Sequence, residues 1–466
     1  MKLILTCLTF ISLSVLHAQT SVSGGIYQNT TWTLSGSPYL LTGSMVVFPG
    51  KTLTIEPGVE VLVTPDYSFN TGNLRYLEIR GTLIAIGTDQ APITFKSAAN
   101  DPVGLYTWMG INIKGSQGGS VQMDRFKLHD SFYGLYNDIA QPGVSYNFTN
   151  CAFKNNNYAI QFNADMNYTN CLFESNGVGQ AAQIQYGSLT ATDCEFVNNF
   201  CSFTWSNSIQ VSNCLFEGNG NNIVGSPGTL SNCQFVNNDF GLAEAYGHTI
   251  QGCLFTGNGT AIDNTGGCNV SNSTFENNGL AIKVADNSVV TNNEVINNDI
   301  GIAVLASNPS TITIADNLIC SNELYNLQNL TDKNFEVNEN CFCSQDSSYI
   351  EAYILDGYDD ITKGLVNYAI YDDSCASVLS YVVKVNLGSA SLASASKPTL
   401  KLIAQQGEKL TLDVPTQTEM YLVEATGKKI NAFSLSQGKQ VIDLGAVSGV
   451  YFLAASDGFT LRVLIP

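Results

Sequence analysis

The chain has 466 residues, 13% of them charged, with 20 Lys and Arg against 39 Asp and Glu and a formal net charge of −19. So few basic residues exclude a phosphate-tracking nucleic-acid binder, which needs a cationic stripe. The acid excess lies upstream of Pro398, since residues 398–466 hold six residues of each sign, and such a surface repels polyanions unless a cation intervenes.

Met1-Lys2 precedes an apolar run from Leu3 to Leu16 that ends at His17-Ala18-Gln19. This reads as a signal peptide over 1–18, so an exported chain with no membrane span in its mature form is expected. Residues 19–145 carry a cap and a first set of irregular coils. Short alternating segments such as Met45-Val46-Val47-Phe48 and Leu53-Thr54-Ile55 are broken by Pro49-Gly50 and Pro57-Gly58 turns.

From Asn150 to Asn322, within a repeat region of 146–345, one phrase is written nine times. It first reads Thr149-Asn150-Cys151-Ala152-Phe153-Lys154-Asn155-Asn156, and successive steps are 20, 23, 20, 19, 20, 20, 20 and 24 residues. A fixed period of this size means stacked coils. The column beginning at Asn150 admits only Asn, Asp and Gly, the residues that tolerate a left-handed corner. Three residues on stands Phe153 and its equivalents, ending in Val295 and Ile319, and three beyond that an Asn in every copy, suited to passing amide hydrogen bonds along the stack. Cys151, Cys171, Cys194, Cys214, Cys233 and Cys253 share strand parity with the Phe column and should point inward as free thiols. An aliphatic column follows (Ile160, Ile184, Phe203, Ile223, Leu242, Ile262, Ile282, Ile302), with Ile184 filling the lengthened coil. Short strands, Asn-type corners and no 3.6 periodicity predict a parallel β-helix, about a dozen coils in all and roughly 55–60 Å long at ~4.8 Å per coil.

On these columns the region resembles the right-handed parallel β-helix repeats of the pectate-lyase-like superfamily, which implies the handedness. A C-terminal cap is expected over 346–385, with Ser348 and Glu351 forming a capping box and Gly357 ending a short helix. Cys320, Cys341, Cys343 and Cys375 lie near it, where an exported protein forms one or two bridges. A small-residue linker, 386–397, leads to alternating strands at 410–414, 420–423, 440–444 and 450–453, the pattern of a small β-sandwich. Tyr421-Leu422-Val423-Glu424-Ala425-Thr426-Gly427-Lys428-Lys429-Ile430, with Ser448-Gly449-Val450-Tyr451-Phe452-Leu453 and Leu461-Arg462-Val463-Leu464, resembles a type IX secretion C-terminal sorting domain over 398–466. That resemblance implies engagement of the type IX machinery and delivery to the medium or outer-membrane surface of a Gram-negative bacterium. The fold class is thus all-β, a right-handed parallel β-helix followed by a small C-terminal β-sandwich.

Enzymes on this fold resemble one another in placing carboxylates, with or without calcium, on an outward strand face. The outward positions here read Gln161, Gln185, Thr204, Val224, Ala243, Asp263, Lys283 and Ala303. Asp263 and Lys283 are acid–base candidates, and equally a surface ion pair. His129 joins them as a candidate, although Arg125, Lys127 and His129 alternate as one solvated strand face. Tyr158, Tyr186, Trp205 and Tyr246, with Gln161 and Gln185, combine rings and amides in the way sugar binding requires. Asp356, Asp359 and Asp360 offer hard oxygen ligands for calcium but lack EF-hand spacing, so no cofactor is required. Two functions are expected from this: a non-catalytic, glycan-binding or adhesive surface rod, or a polysaccharide lyase or glycoside hydrolase.

Overall fold

The computed structural model describes residues 19–66, 71–99, 107–139, 145–177, 180–184, 187–204, 206–224 and 227–368, and then 401–406, 409–414, 418–424, 429–436, 438–443, 449–455 and 460–465. The leader 1–18, the linker 386–397 and Cys375 lie outside these residues. The chain divides into two units, residues 1–378 and 379–466.

In the first unit about thirteen coils each lay down three short strands, and every strand pairs in parallel with its equivalent one coil away. A representative coil places Ala152–Lys154 on a first ladder, Tyr158–Phe162 on a second and Asp165–Thr169 on a third. The corners explain the repeat. All nine residues of the Asn/Asp/Gly column, from Asn150 (φ 54°) to Asp316 (φ 57°), are left-handed. A second left-handed corner precedes each ladder Asn, at Asn155, Ser175, Asn198, Gly218, Asn237, Gly257, Asn277, Asn297 and Ser321. One left-handed residue turns the chain sharply without a long loop, which is why twenty residues suffice for three strands.

The ladder asparagines are buried and fully used. The Asn238 side-chain amide donates to Asn258 Oδ1 at 2.9 Å and to the Phe216 carbonyl at 3.0 Å, while its own Oδ1 accepts the Asn219 backbone N–H at 2.9 Å. The same pattern recurs from Asn156 to Asn322. The seven phenylalanines from Phe153 to Phe275 stack with centroids 4.6–5.0 Å apart and planes within 11°. Strand spacing imposes that separation.

The cysteine column points inward, each member essentially unexposed and free. It is more than filler. The Cys171 and Cys194 backbone N–H groups donate to the Sγ of the next thiol, at 3.5 and 3.4 Å. Downstream the same bond passes to Ser273 Oγ and then to Asn293 Oδ1, Asn317 Oδ1 and Asn340 Oδ1. Thiol, hydroxyl and amide therefore serve one purpose: accepting the orphan N–H of a buried corner.

The aliphatic column differs from expectation in one place. Ile160 pairs with Ala182, not Ile184, which instead lies opposite Phe162. Parity is preserved but the register is two residues earlier, so Gln183 rather than Gln185 follows Gln161. At the C-terminal end the short helix is Ser347–Glu351, with Asp346 as its N-cap accepting the Ser348 N–H at 2.9 Å. Asp346 takes the place expected of Ser348, because its carboxylate reaches the first-turn amide; the helix closes at Ala352, ahead of Gly357. Cys320 is bonded to Cys343, and Cys341 is disulfide-bonded as well.

The second unit holds two antiparallel sheets. Lys401–Gln406, Lys409–Val414 and Gly438–Asp443 form one; Lys429–Leu435, Thr418–Glu424, Gly449–Ala455 and Thr460–Ile465 form the other. No helix among the described residues is long and apolar enough to cross a membrane.

Candidate functional site

The positions that follow the inner aliphatic column pair in register along the second ladder. They run Glu78, Asn112, Tyr136, Gln161, Gln183, Thr204, Val224 and Ala243, and beyond a bulge Asp263, Lys283, Ala303 and Gln328. The residue just before the inner aliphatic position is small and buried, as at Ala159, Ala261 and Ala281, because it faces the corner. A Cβ at Gly241 would stand 2.4 Å from the Ala261 carbonyl oxygen and 2.9 Å from the Phe255 ring. That extra inward residue turns the preceding side chain outward, and Tyr133 and Tyr158 stand at this position.

The result is an aromatic group on the N-terminal coils. The Tyr133 and Tyr158 rings stack at 5.3 Å with planes 29° apart, and Tyr136 lies 5.2 Å from Tyr133. Burial, followed by the neighbouring Glu78 carboxylate, raises the Tyr136 hydroxyl pKa, and burial beside Tyr158 raises that of Tyr133. Glu78 is buried and held by Arg80 Nε at 2.5 Å. Glu78, Asn112, Tyr133 and Tyr136 escaped the sequence reading. Tyr133-Gly134-Leu135-Tyr136 aligned against Tyr158-Ala159-Ile160-Gln161 was the available signal.

Asp263 and Lys283 are brought together: Lys283 Nζ lies 2.7 Å from Asp263 Oδ1, each about a quarter exposed. Tyr246 is 63% exposed on a neighbouring coil, and a Cβ added to Gly266 would meet its ring at 3.6 Å. Gln161 is half-buried between Tyr136 and Gln183. Gln185, Tyr186 and Trp205 lie outside the described residues.

His129 stands apart, on the first ladder opposite Lys154. It shares the partly exposed side of its strand with Lys127, opposite the buried Phe126 and Leu128. Its Nε2 is nevertheless buried without a partner, and burial, then Lys154, Lys127 and Lys96, lowers its pKa to about 4. Arg125 is not on that strand face: it is a left-handed corner residue paired with Asp89 at 2.7 Å and Asp124 at 2.5 Å.

The calcium candidates are used by the chain itself. Asp356 is buried, with Oδ1 accepting the Tyr358 N–H at 2.8 Å and Oδ2 the Val366 N–H at 2.7 Å. Asp359 accepts the Asp356 N–H, and Asp360 accepts from the Thr362 N–H and hydroxyl. Among the described residues no group of three or more His, Cys, Asp or Glu side chains is arranged to hold a metal.

Parallel ladders, left-handed corners, stacked interior rows and a polar, ring-bearing outer face define a β-helix solenoid. The chain belongs to the family described as right handed beta helix region, whose model matches residues 109–278 and 224–342, together half of its length. Protein bark beetle of Drosophila melanogaster is 37% identical over 82 residues, which is 17% of this chain; the match spans 2% of that relative. Among solved structures, a mannuronic acid specific polysaccharide family 6 lyase from human gut microbiota is similar at 13% identity, covering 70% of this chain and 84% of the lyase, with a TM-score of 0.31. Tailspike protein 3 of bacteriophage CBA120 is similar at 10% identity, covering 75% of this chain and 56% of the tailspike, with a TM-score of 0.35.

Proposed function

We propose that this chain is an exported β-helix rod that binds a polysaccharide or cell-surface glycan without turning it over. The observation that carries the reading is the Tyr133–Tyr158 stack beside Tyr136 and Gln161 on an outward strand face. Ring faces next to amides meet both the C–H faces and the hydroxyls of a sugar. The Asp263–Lys283 ion pair supports the non-catalytic side, since each charge neutralises its neighbour.

The route outward rests on sequence: a leader over 1–18, a rod from 19 to 385, a linker, and residues 398–466 engaging the type IX machinery of a Gram-negative bacterium. The chain then works in the medium or at the outer-membrane surface. Its antiparallel strands from Lys401 onward agree with a sorting domain of that kind.

The test is a glycan-array screen of the full mature chain with a Tyr133→Ala/Tyr158→Ala variant beside it. Specific retention that the double variant loses supports the reading; retention unchanged in the variant overturns it. A second reading, a lyase or hydrolase centred on Asp263 and Lys283, predicts new unsaturated or reducing ends from acidic or neutral polysaccharides, with or without calcium. Release that disappears in Asp263→Asn or Lys283→Ala would replace the first reading.

A further inference from the structure

The two ends of the solenoid are finished differently. At the C-terminal end the helix Ser347–Glu351 seats Ile350 in the core, and the strand pair Phe335–Glu336 and Val366–Asn367 adds Phe335 and Val366 to it. Lys333, Glu336, Asp346, Glu351, Asp359 and Lys363 bring charge of both signs to that end. The N-terminal end has no such cover among the described residues. Its first strand, Thr20–Ile26, pairs with Tyr39–Val47 on one side and with no described strand on the other. Thr30–Trp32 is likewise the end strand of its sheet. The Thr20 N–H bonds to the Pro38 carbonyl at 3.0 Å, so strand alternation turns the Ser21 N–H away from that neighbour, toward the open edge. Ser21, Ser23, Gly24 and Gly25 are exposed, as are Tyr27 and Leu34 of the same coil. Open edges recruit further strands, and folds blunt them with charge, proline, bulges or a covering segment. Gly24, at φ 82°, kinks this strand, and nothing else in Thr20–Ile26 blunts it. From Gln19 to Gly50 there is not one Asp, Glu, Lys, Arg or His, in a chain of net charge −19.

We infer that this edge is an interface with a second copy of the chain, the two joined head to head through Thr20–Ile26 strands that run antiparallel about a twofold axis. Two observations choose this occupant. Copies of a chain with net charge −19 repel one another least where the surface carries no charge. A head-to-tail contact would set the open strand against the charged C-terminal end, whose edge there is only the two-residue strand Ile354–Leu355. A twofold axis needs one self-complementary surface and closes at two copies. Backbone hydrogen bonds across the joint pair the free edge, and Tyr27 and Leu34 beside it lose their exposure to water. The dimer carries every outer face twice, so a surface of repeated ligands would hold it by avidity.

The test is sedimentation velocity of the full mature chain over a wide range of concentration, at low and high salt, with melting temperatures alongside. A monomer–dimer equilibrium with no larger species is expected. Ser21→Pro removes the outward N–H and leaves the bonds to Tyr39–Val47 in place. It should weaken the dimer about tenfold, because the twofold axis removes the bond twice. Ser21→Glu/Ser23→Glu sets like charges across the joint and should weaken it most at low salt; it is the readout if Ser21→Pro lowers the melting temperature. Thr249→Glu/Gln251→Glu, exposed on the third ladder, adds the same charge elsewhere and should leave the dimer unchanged. A short bis-maleimide should join Ser23→Cys to its own copy, since the eight free cysteines among the described residues are buried and do not compete. A monomer at every concentration, a trimer or filament, a dimer indifferent to both edge variants, or a Ser23→Cys dimer that does not cross-link overturns the inference.

Discussion

Asn238 shows how one side chain answers for several buried groups. Replacing it with Ala leaves the Asn219 N–H and the Phe216 carbonyl without the partners they now have. At about 1–3 kcal/mol for each buried group stranded, Asn238→Ala should visibly lower the denaturation midpoint. Asn147→Ala, on the exposed side of the third ladder, should stay within about 0.5 kcal/mol in the same denaturant titration. His129 gives a second residue-scale prediction. Its pKa falls to about 4 in the fold because burial and three lysines disfavour the imidazolium. The unfolded chain, titrating near 6.5, therefore binds the proton first, and its share of stability is complete above that value and is lost as pH falls toward 4. Across that window the loss should approach ~1.4 kcal/mol per pH unit, and His129→Asn should flatten the melting profile.

At the scale of the strand and corner, most of the architecture was legible because each corner admits so few residue types. Asn213, at φ 55°, should tolerate Gly but lose roughly 1–3 kcal/mol as Val, measured by thermal unfolding. What misled the reading was the lengthened coil. Ile184 and Ala182 share parity, so an alternating pattern cannot tell which one continues the column, and the larger side chain drew the assignment. The outer face was harder to foresee. Glu78, Asn112 and Tyr136 belong to coils of unequal length, where no fixed period points from one to the next, and only backbone pairing aligns them. Tyr133 was obscured for another reason: simple alternation puts it inside, and the small buried Gly134 after it reverses that.

For the whole solenoid, the interior rows decide which chemistry the solvent meets. The eight free cysteines among the described residues are all buried. Burial pushes Cys201 up to about 12 and Cys268 to about 11, and drives Cys171, Cys194, Cys214 and Cys253 up as well. Thiolate is the reactive form, so these positions should resist a thiol reagent in the native protein and label together on unfolding, as mass spectrometry of modified peptides would show.

The asparagine row also sets what lengths the molecule can take. Each amide bonds only within its own turn and to the turns directly above and below, so excising or duplicating one whole turn rejoins equivalent neighbours and costs little. Losing a few residues from within a turn breaks every row at once. Descendants of this gene should therefore differ in steps of about twenty residues, growing or shrinking like a stack of coins.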